Sequence, residues 1–314
     1  MQSSEARANG ATRRFKHHSF AVRIADDRYR AVPAVLQSVN VSQVPQRSPF
    51  RYPGGKTWLI PCVRTWLQSQ PKKPRVLIEP FAGGASIALT AVAEDLVSRA
   101  RFAEIDEDVA AVWKCALSSR NAALCRKLAE FTVTKTAAKS LFASVLRSRN
   151  ETDRALSVLV RNRLSHGGIL APGAGLLRKG EAGRGLHSRW YPITLVKRLH
   201  DIHGLRNRLS FSHADGFDLL HLHRTQTTTV AFVDPPYVVN GRRLYRHWDM
   251  DHERLFTVMS EFAGEFLMTY DDAPEIRALA RRFKFKTCEV AMKTTKHATK
   301  RELIIGRNLR WALG

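Results

Sequence analysis

Acidic residues and cysteine are scarce in this chain, and long apolar runs are missing altogether. Its 314 residues carry 28 Asp and Glu against 51 Lys and Arg, a formal net charge of +23. A deficit of acid on that scale points to a polyanionic partner, either nucleic acid or an anionic membrane surface. No stretch of about 18 or more uninterrupted apolar residues exists, so no membrane-spanning helix is expected. The four cysteines, Cys62, Cys115, Cys125 and Cys288, have no paired ligand spacing. That argues against a zinc site or a disulfide framework and favours a reducing compartment. The 12 histidines show no ligand spacing either, so no metal is expected.

What remains is ordinary for a folded protein: 44% hydrophobic residues, in a chain long enough for one large or two modest domains. Residues 1–46 mix Arg, Ser, Gln, Ala and Pro without an apolar period and lack the apolar core of a secretory signal. They read as a disordered basic tail. From there apolar runs and turn signals alternate. Arg75–Glu79 and Arg101–Asp106 read as short strands separated by a helix over Ser86–Leu96, with a second helix from about Asp108 to Leu117. The TWLIPCVRTWL run suits a helix interrupted by Pro61. A β-α-β opening predicts a parallel sheet covered on both faces. Strand patterns return at Leu209–His213, Thr229–Val233, Glu265–Tyr270, Lys284–Met292 and Glu302–Ile305. The resulting expectation is one α/β domain over 47–118 and 209–314, interrupted by a mainly helical insertion over 119–208.

Two motifs carry chemistry. Glu79-Pro80-Phe81-Ala82-Gly83-Gly84 lies between a strand and a helix, where glycines admit a ligand to the backbone and the helix start offers N–H donors. Such turns are common. Glu104 follows Gly83 by 21 residues at the end of the next strand, however, a position from which an acid binds a ribose in doubly wound sheets. Either Glu104 or Asp106 could instead cap the next helix. Turn and acid together favour a nucleoside-containing cofactor. The second motif, Asp234-Pro235-Pro236-Tyr237, directly follows an apolar strand and is far more specific. Two prolines stiffen the turn and remove two donors, leaving a carboxylate and outward carbonyls as acceptors. An aromatic amine is a poor nucleophile because its lone pair is delocalised. Hydrogen bonds from that amine to Asp234 and the Pro235 carbonyl localise the lone pair, and Tyr237 offers a ring on which an extruded base can stack. A third segment, Arg51-Tyr52-Pro53-Gly54-Gly55-Lys56, lacks the spacing of a nucleoside-triphosphate loop.

The positive charge is uneven. Between Cys115 and Ser210 there are 18 Lys and Arg against 5 Asp and Glu, more than half of the surplus. This concentration marks the insertion as a nucleic-acid footprint. Arg161, Asn162 and Arg163, ahead of Gly167 and Gly168, are its candidate DNA-binding residues.

The order of these motifs resembles the Dam-type (class alpha) DNA adenine N6-methyltransferases: a PGGK loop, an FxGG loop, a recognition insertion, then DPPY. The resemblance runs from about Ser48 to Gly306. It implies a Rossmann-like S-adenosylmethionine-dependent sheet of seven strands with an inserted, mainly helical target-recognition domain. By that resemblance Tyr52, Gly54, Gly55 and Lys56 form the amino-terminal part of the cofactor pocket. Phe81, Gly83 and Gly84 surround the methionine portion, Glu104 holds the ribose, Asp215 contacts the cofactor adenine, and Asp234, Pro235, Pro236 and Tyr237 are catalytic. The segments at Met268–Asp272 and Arg301–Ile305 correspond to family segments that mostly support the sheet. The implied partner is double-stranded DNA, in the cytoplasm of a bacterial or phage-infected cell and associated with the nucleoid. The resemblance leaves room for a restriction endonuclease companion. A methyltransferase acting on cytosine would more often carry Ser at position 234, and an rRNA or glutamine methyltransferase Asn. A catalytically silent DNA-binding relative would have no need of Asp234 and the Gly83-Gly84 turn.

Overall fold

The computed structural model describes residues 21–22, 30–31, 44–51, 55–146, 150–170, 175–177, 180, 183–237, 249–293 and 299–312. Most of the 1–46 tail therefore lies outside the described residues. Within them, Ala21–Val22 pairs with Arg30–Ala31, and Val44 is buried in a hydrophobic core, so the packed unit reaches back beyond residue 47.

Seven strands form one sheet: β1 (Val76–Glu79), β2 (Arg99–Glu104), β3 (Leu209–His213), β4 (Thr229–Val233), β5 (Phe266–Asp271), β6 (Lys286–Lys293) and β7 (Thr299–Gly306). Their spatial order is β3-β2-β1-β4-β5-β7-β6. The first five run parallel, whereas β7 lies antiparallel to both β5 and β6. The strands are apolar because both sheet faces are covered, and the two-residue period deals side chains alternately to each. Leu77, Phe232, Leu267 and Ile304 enter one core, while Ile78, Ala231, Met268 and Ile305 enter the other. Each buried Leu, Ile, Met or Phe among them contributes about 1.5–3 kcal/mol.

The first face is covered by α1 (Ile60–Gln68), α2 (Ser86–Ala93) and α3 (Glu107–Ala116), the second by α8 (Gly216–His223), α9 (His252–Glu261) and α10 (Pro274–Arg282). Pro61 does not interrupt its helix. It is the second residue of α1, where a missing N–H costs no intrahelical bond. Between α3 and β3 come α4 (Asn121–Glu130), α5 (Lys135–Val145), α6 (Glu151–Leu164) and α7 (Pro192–Gly204). This helical insertion shares the sheet's first core: Leu124, Leu159 and Leu199 join the same cluster as Leu77 and Trp113.

The insertion also grips the segment that leads into the Gly55-Lys56 turn. The Asn162 amide accepts from Arg51 N at 2.8 Å and donates to Arg51 O at 2.9 Å and to Gly168 O at 2.7 Å. Arg163 Nη2 donates to Pro49 O at 2.7 Å, and Arg198 Nη1 on α7 to Ser48 O at 2.9 Å. Gly168 is required at this contact. It has φ +78°, and a Cβ there would lie 2.2 Å from Arg51 O. The expectation that Asn162 and Arg163 face DNA is thereby corrected, since both side chains are buried and bonded inward to the chain's own backbone. Burial pushes the Arg163 guanidinium down to about 10, with neighbouring Arg198 adding to the effect. Asn162→Ala removes three hydrogen bonds and strands buried partners, so it is expected to lower unfolding free energy by about 2 kcal/mol. Urea unfolding measures this, and an unchanged midpoint would show that the clamp contributes nothing.

Candidate active site and cofactor pocket

Brought together at the carboxyl ends of β1 to β4 is a cavity of about 260 Å³, where the sheet order reverses between β1 and β4. Open α/β sheets bind ligands at such a switch point, because adjacent loops diverge there to opposite faces. Gly55, Lys56, Phe81, Gly83, Gly84, Glu104, Asp215, Asp234 and Pro236, all expected at the site, line it. Tyr52 and Gly54 fall outside the described residues.

The glycine turn is held from three sides. Gly83 takes φ +47°, its N–H donates to Glu104 Oε2 at 3.0 Å, and its carbonyl accepts from Trp113 Nε1 at 2.9 Å. The other Glu104 oxygen accepts from Asp106 N at 2.9 Å, and Asp106 caps α3. Glu104 is therefore a wall of the pocket and Asp106 the helix cap, which separates the two roles the sequence left open. Burial, with the Asp106 carboxylate adding, pushes Glu104 up to about 7. Asp215 caps α8 through Phe217 N at 3.0 Å. A Cβ on Gly216 would come within 2.5 Å of Pro80 O and 2.6 Å of Phe81 Cε1, so the close approach of α8 to the glycine turn depends on this residue. Ile105 and Phe217 complete an apolar wall, and the Arg254 guanidinium lies 4.2 Å from the Phe217 ring centre.

Beside this pocket stands the Asp234–Tyr237 turn. Asp234 Oδ1 accepts from Thr269 Oγ1 on β5 at 2.7 Å, and Oδ2 pairs with Lys56 Nζ at 2.9 Å. Tyr237 Oη donates to Glu302 Oε2 on β7 at 3.1 Å, and its ring stacks on Tyr270 with centroids 6.4 Å apart. Lys56 Nζ also lies 3.8 Å from Glu302 Oε2 and 5.0 Å from the Tyr237 ring centre. Burial alone would lower the Lys56 pKa, but Asp234 and Glu302 more than offset it, and the ammonium is held above its ordinary range. Thr269 and Glu302 lie in segments expected mostly to support the sheet; the structure also places both against the Asp234–Tyr237 turn. The available signal was an acid at 302 heading an apolar strand, which is costly to bury without a partner.

Glu79 was read as part of the glycine turn and turns out to be a further buried acid, its Oε2 accepting from Ala88 N at 2.7 Å. Burial raises it to about 8, and Asp234 contributes in the same direction.

The fold is a Rossmann-like α/β sheet with a pocket at its switch point. Residues 52–295 match the model of the D12 class N6 adenine-specific DNA methyltransferases, and the chain belongs to that family. No curated protein matches it. Among solved structures it is similar to the rRNA methyltransferase aviRa from Streptomyces viridochromogenes (13% identity, TM-score 0.39, covering 90% of this chain and 98% of that one). It is also similar to a candidate RNA methyltransferase, PH1948, from Pyrococcus horikoshii (9% identity, TM-score 0.38, covering 85% and 92%). At those TM-scores neither likeness bears on the substrate. Among the described residues no helix is long and apolar enough to cross a membrane, and no group of three or more His, Cys, Asp or Glu is arranged to hold a metal.

The buried acid gives a pH signature. Unfolded, Glu79 ionises near the ordinary 4.5, whereas folded it keeps its proton to about 8. Between those values the folded state binds more protons, so this residue's contribution to stability falls as pH rises. The unfolding free energy of the wild type is expected to decline relative to Glu79→Gln from about pH 5 to about pH 8. Parallel profiles would mean that Glu79 is ionised in the folded protein.

Proposed function

We propose that the protein transfers a methyl group from S-adenosylmethionine to the exocyclic amino group of an adenine flipped out of double-stranded DNA. The observation that carries this reading is the placement of Asp234 and Pro236 in the wall of the nucleoside-type pocket, with Tyr237 beside them. The donor set fits the cofactor. Glu104 offers carboxylate lone pairs to ribose hydroxyls, Ile105 and Phe217 offer apolar surface to an adenine, and the glycine turn leaves room for the methionine portion. When bound, S-adenosylmethionine supplies an electrophilic methyl group on a sulfonium.

The chain's own residues do the rest. Asp234 is anchored by Thr269 and Lys56, yet each carboxylate oxygen has a further lone pair for an amine hydrogen. With the Pro235 carbonyl it accepts from the amine and directs the nitrogen lone pair away from the ring. The same acceptors stabilise the positive charge that grows on the nitrogen as the methyl group arrives, which favours the transition state over bound substrate. Tyr237, backed by Tyr270, provides a stacking surface at a fixed height. Tritium transfer to duplex DNA, followed by nucleoside analysis, is expected to yield N6-methyladenine. Asp234→Ala should lower turnover on the order of 10²–10³-fold while leaving DNA affinity within a few-fold. Tyr237→Phe should outperform Tyr237→Ala. Label appearing in cytosine, or near wild-type turnover by Asp234→Ala, would overturn the reading.

DNA reading is assigned to the insertion over 119–208, on the strength of its charge. With Asn162 and Arg163 buried, Arg161 is the remaining candidate of the three. It is partly exposed on α6, with its guanidinium 4.8 Å from the Phe142 ring centre on α5. Arg161→Ala is expected to weaken DNA binding without changing S-adenosylmethionine affinity, and to flatten the salt slope by about 0.9 if a phosphate contact is lost. Equal binding of cognate and random duplexes by variant and wild type across a salt titration would move the reader elsewhere in the insertion.

A further inference from the structure

Glu302 is 1% exposed and heads a run of wholly buried residues, Leu303, Ile304 and Ile305, on β7. Burying a carboxylate among such neighbours is strongly unfavourable unless charge and hydrogen bonds compensate it. Both are present. Tyr237 Oη donates to Oε2 at 3.1 Å, and the Lys56 ammonium stands 3.8 Å from the same oxygen. In the antiparallel register Glu302 is opposite Asp271 and Ile304 is opposite Thr269, so Glu302 shares its sheet face with the residue that holds Asp234 Oδ1. Strand β7 therefore reaches the catalytic turn from below at two points, through Tyr237 and through Lys56.

Lys56 sits closer to Asp234 than to Glu302, 2.9 Å against 3.8 Å. The division matters to the chemistry. An ammonium paired with Asp234 alone would draw electron density from the carboxylate that must accept an amine hydrogen. A second carboxylate shares that cation and leaves Asp234 a stronger acceptor. It also leaves Lys56, Asp234 and Glu302 together with one net negative charge when both acids are ionised, which suits a site where positive charge develops on a nitrogen.

We infer that Glu302 is a positioning residue for methyl transfer, sharing the Lys56 cation with Asp234 and fixing the Tyr237 hydroxyl. It acts through those two side chains, and the inference rests on the methyl-transfer reading above.

The test compares Glu302→Gln, which keeps the shape and loses the charge, with Glu302→Asp, which keeps the charge and loses a methylene. If charge sharing is the role, kcat for transfer to DNA falls in the order wild type, Asp variant, Gln variant, the last by on the order of tenfold or more. S-adenosylmethionine affinity by calorimetry stays within a few-fold of wild type in both. A residue that only filled space would give the opposite order, because glutamine is the better isostere. A Gln variant as fast as, or faster than, the Asp variant overturns the inference. Crystal structures of wild type and Glu302→Gln provide a readout independent of turnover: Lys56 Nζ is expected to move away from residue 302 and remain on Asp234. An unmoved Lys56 also overturns the inference. If the wild type moves no methyl group to DNA, the functional reading fails, while the Lys56 displacement still decides whether Glu302 shares the Lys56 cation with Asp234.

Discussion

The ammonium of Lys56 lies between Asp234 and Glu302, and these three residues come from the amino-terminal segment, the end of β4 and the start of the buried part of β7. Each is largely or wholly withdrawn from water, so none is stable there without the others. Their meeting requires the sheet to be complete as far as its antiparallel strands and the amino-terminal segment to reach the carboxyl ends of its central strands. The Asp234–Tyr237 turn is thus a product of closure. Two prolines give it stiffness, Thr269 and Lys56 hold its carboxylate, and Tyr270 and Glu302 hold its tyrosine.

The amino-terminal segment in turn depends on the insertion. Asn162, Arg163 and Arg198 bond the backbone of residues 48–51, a few residues before Lys56 in the chain. The helices of the insertion are therefore in physical contact with the segment of chain that leads to Lys56. A displacement of α6 cannot leave residues 48–51 untouched, because two hydrogen bonds between the Asn162 amide and Arg51 and one from Arg163 to Pro49 O fix their relative position.

This arrangement also divides the positive charge of the insertion. Arg163 and Arg198 serve the clamp, and Arg154 pairs with Glu107 and Asp108 on α3. Charge counted along a sequence mixes such internal cations with those that face outward. The count locates a basic region, but burial decides which members of it meet a polyanion.

The sequence alone determined the seven strands, the glycine turn with its acid 21 residues on, and the Asp-Pro-Pro-Tyr turn. These are legible because each depends on local rules: a two-residue period in strands, the freedom of glycine at positive φ, and the fixed φ of proline. Only the tertiary structure decided that Asn162 and Arg163 point inward, that Glu104 walls the pocket while Asp106 caps the helix, and that Thr269 and Glu302 join the Asp234–Tyr237 turn. The distinction is physical. A buried polar side chain is defined by partners dozens to hundreds of residues away, such as Glu302 with Tyr237 and Lys56, and no periodicity in the chain records which distant backbone or charge will come to lie beside it.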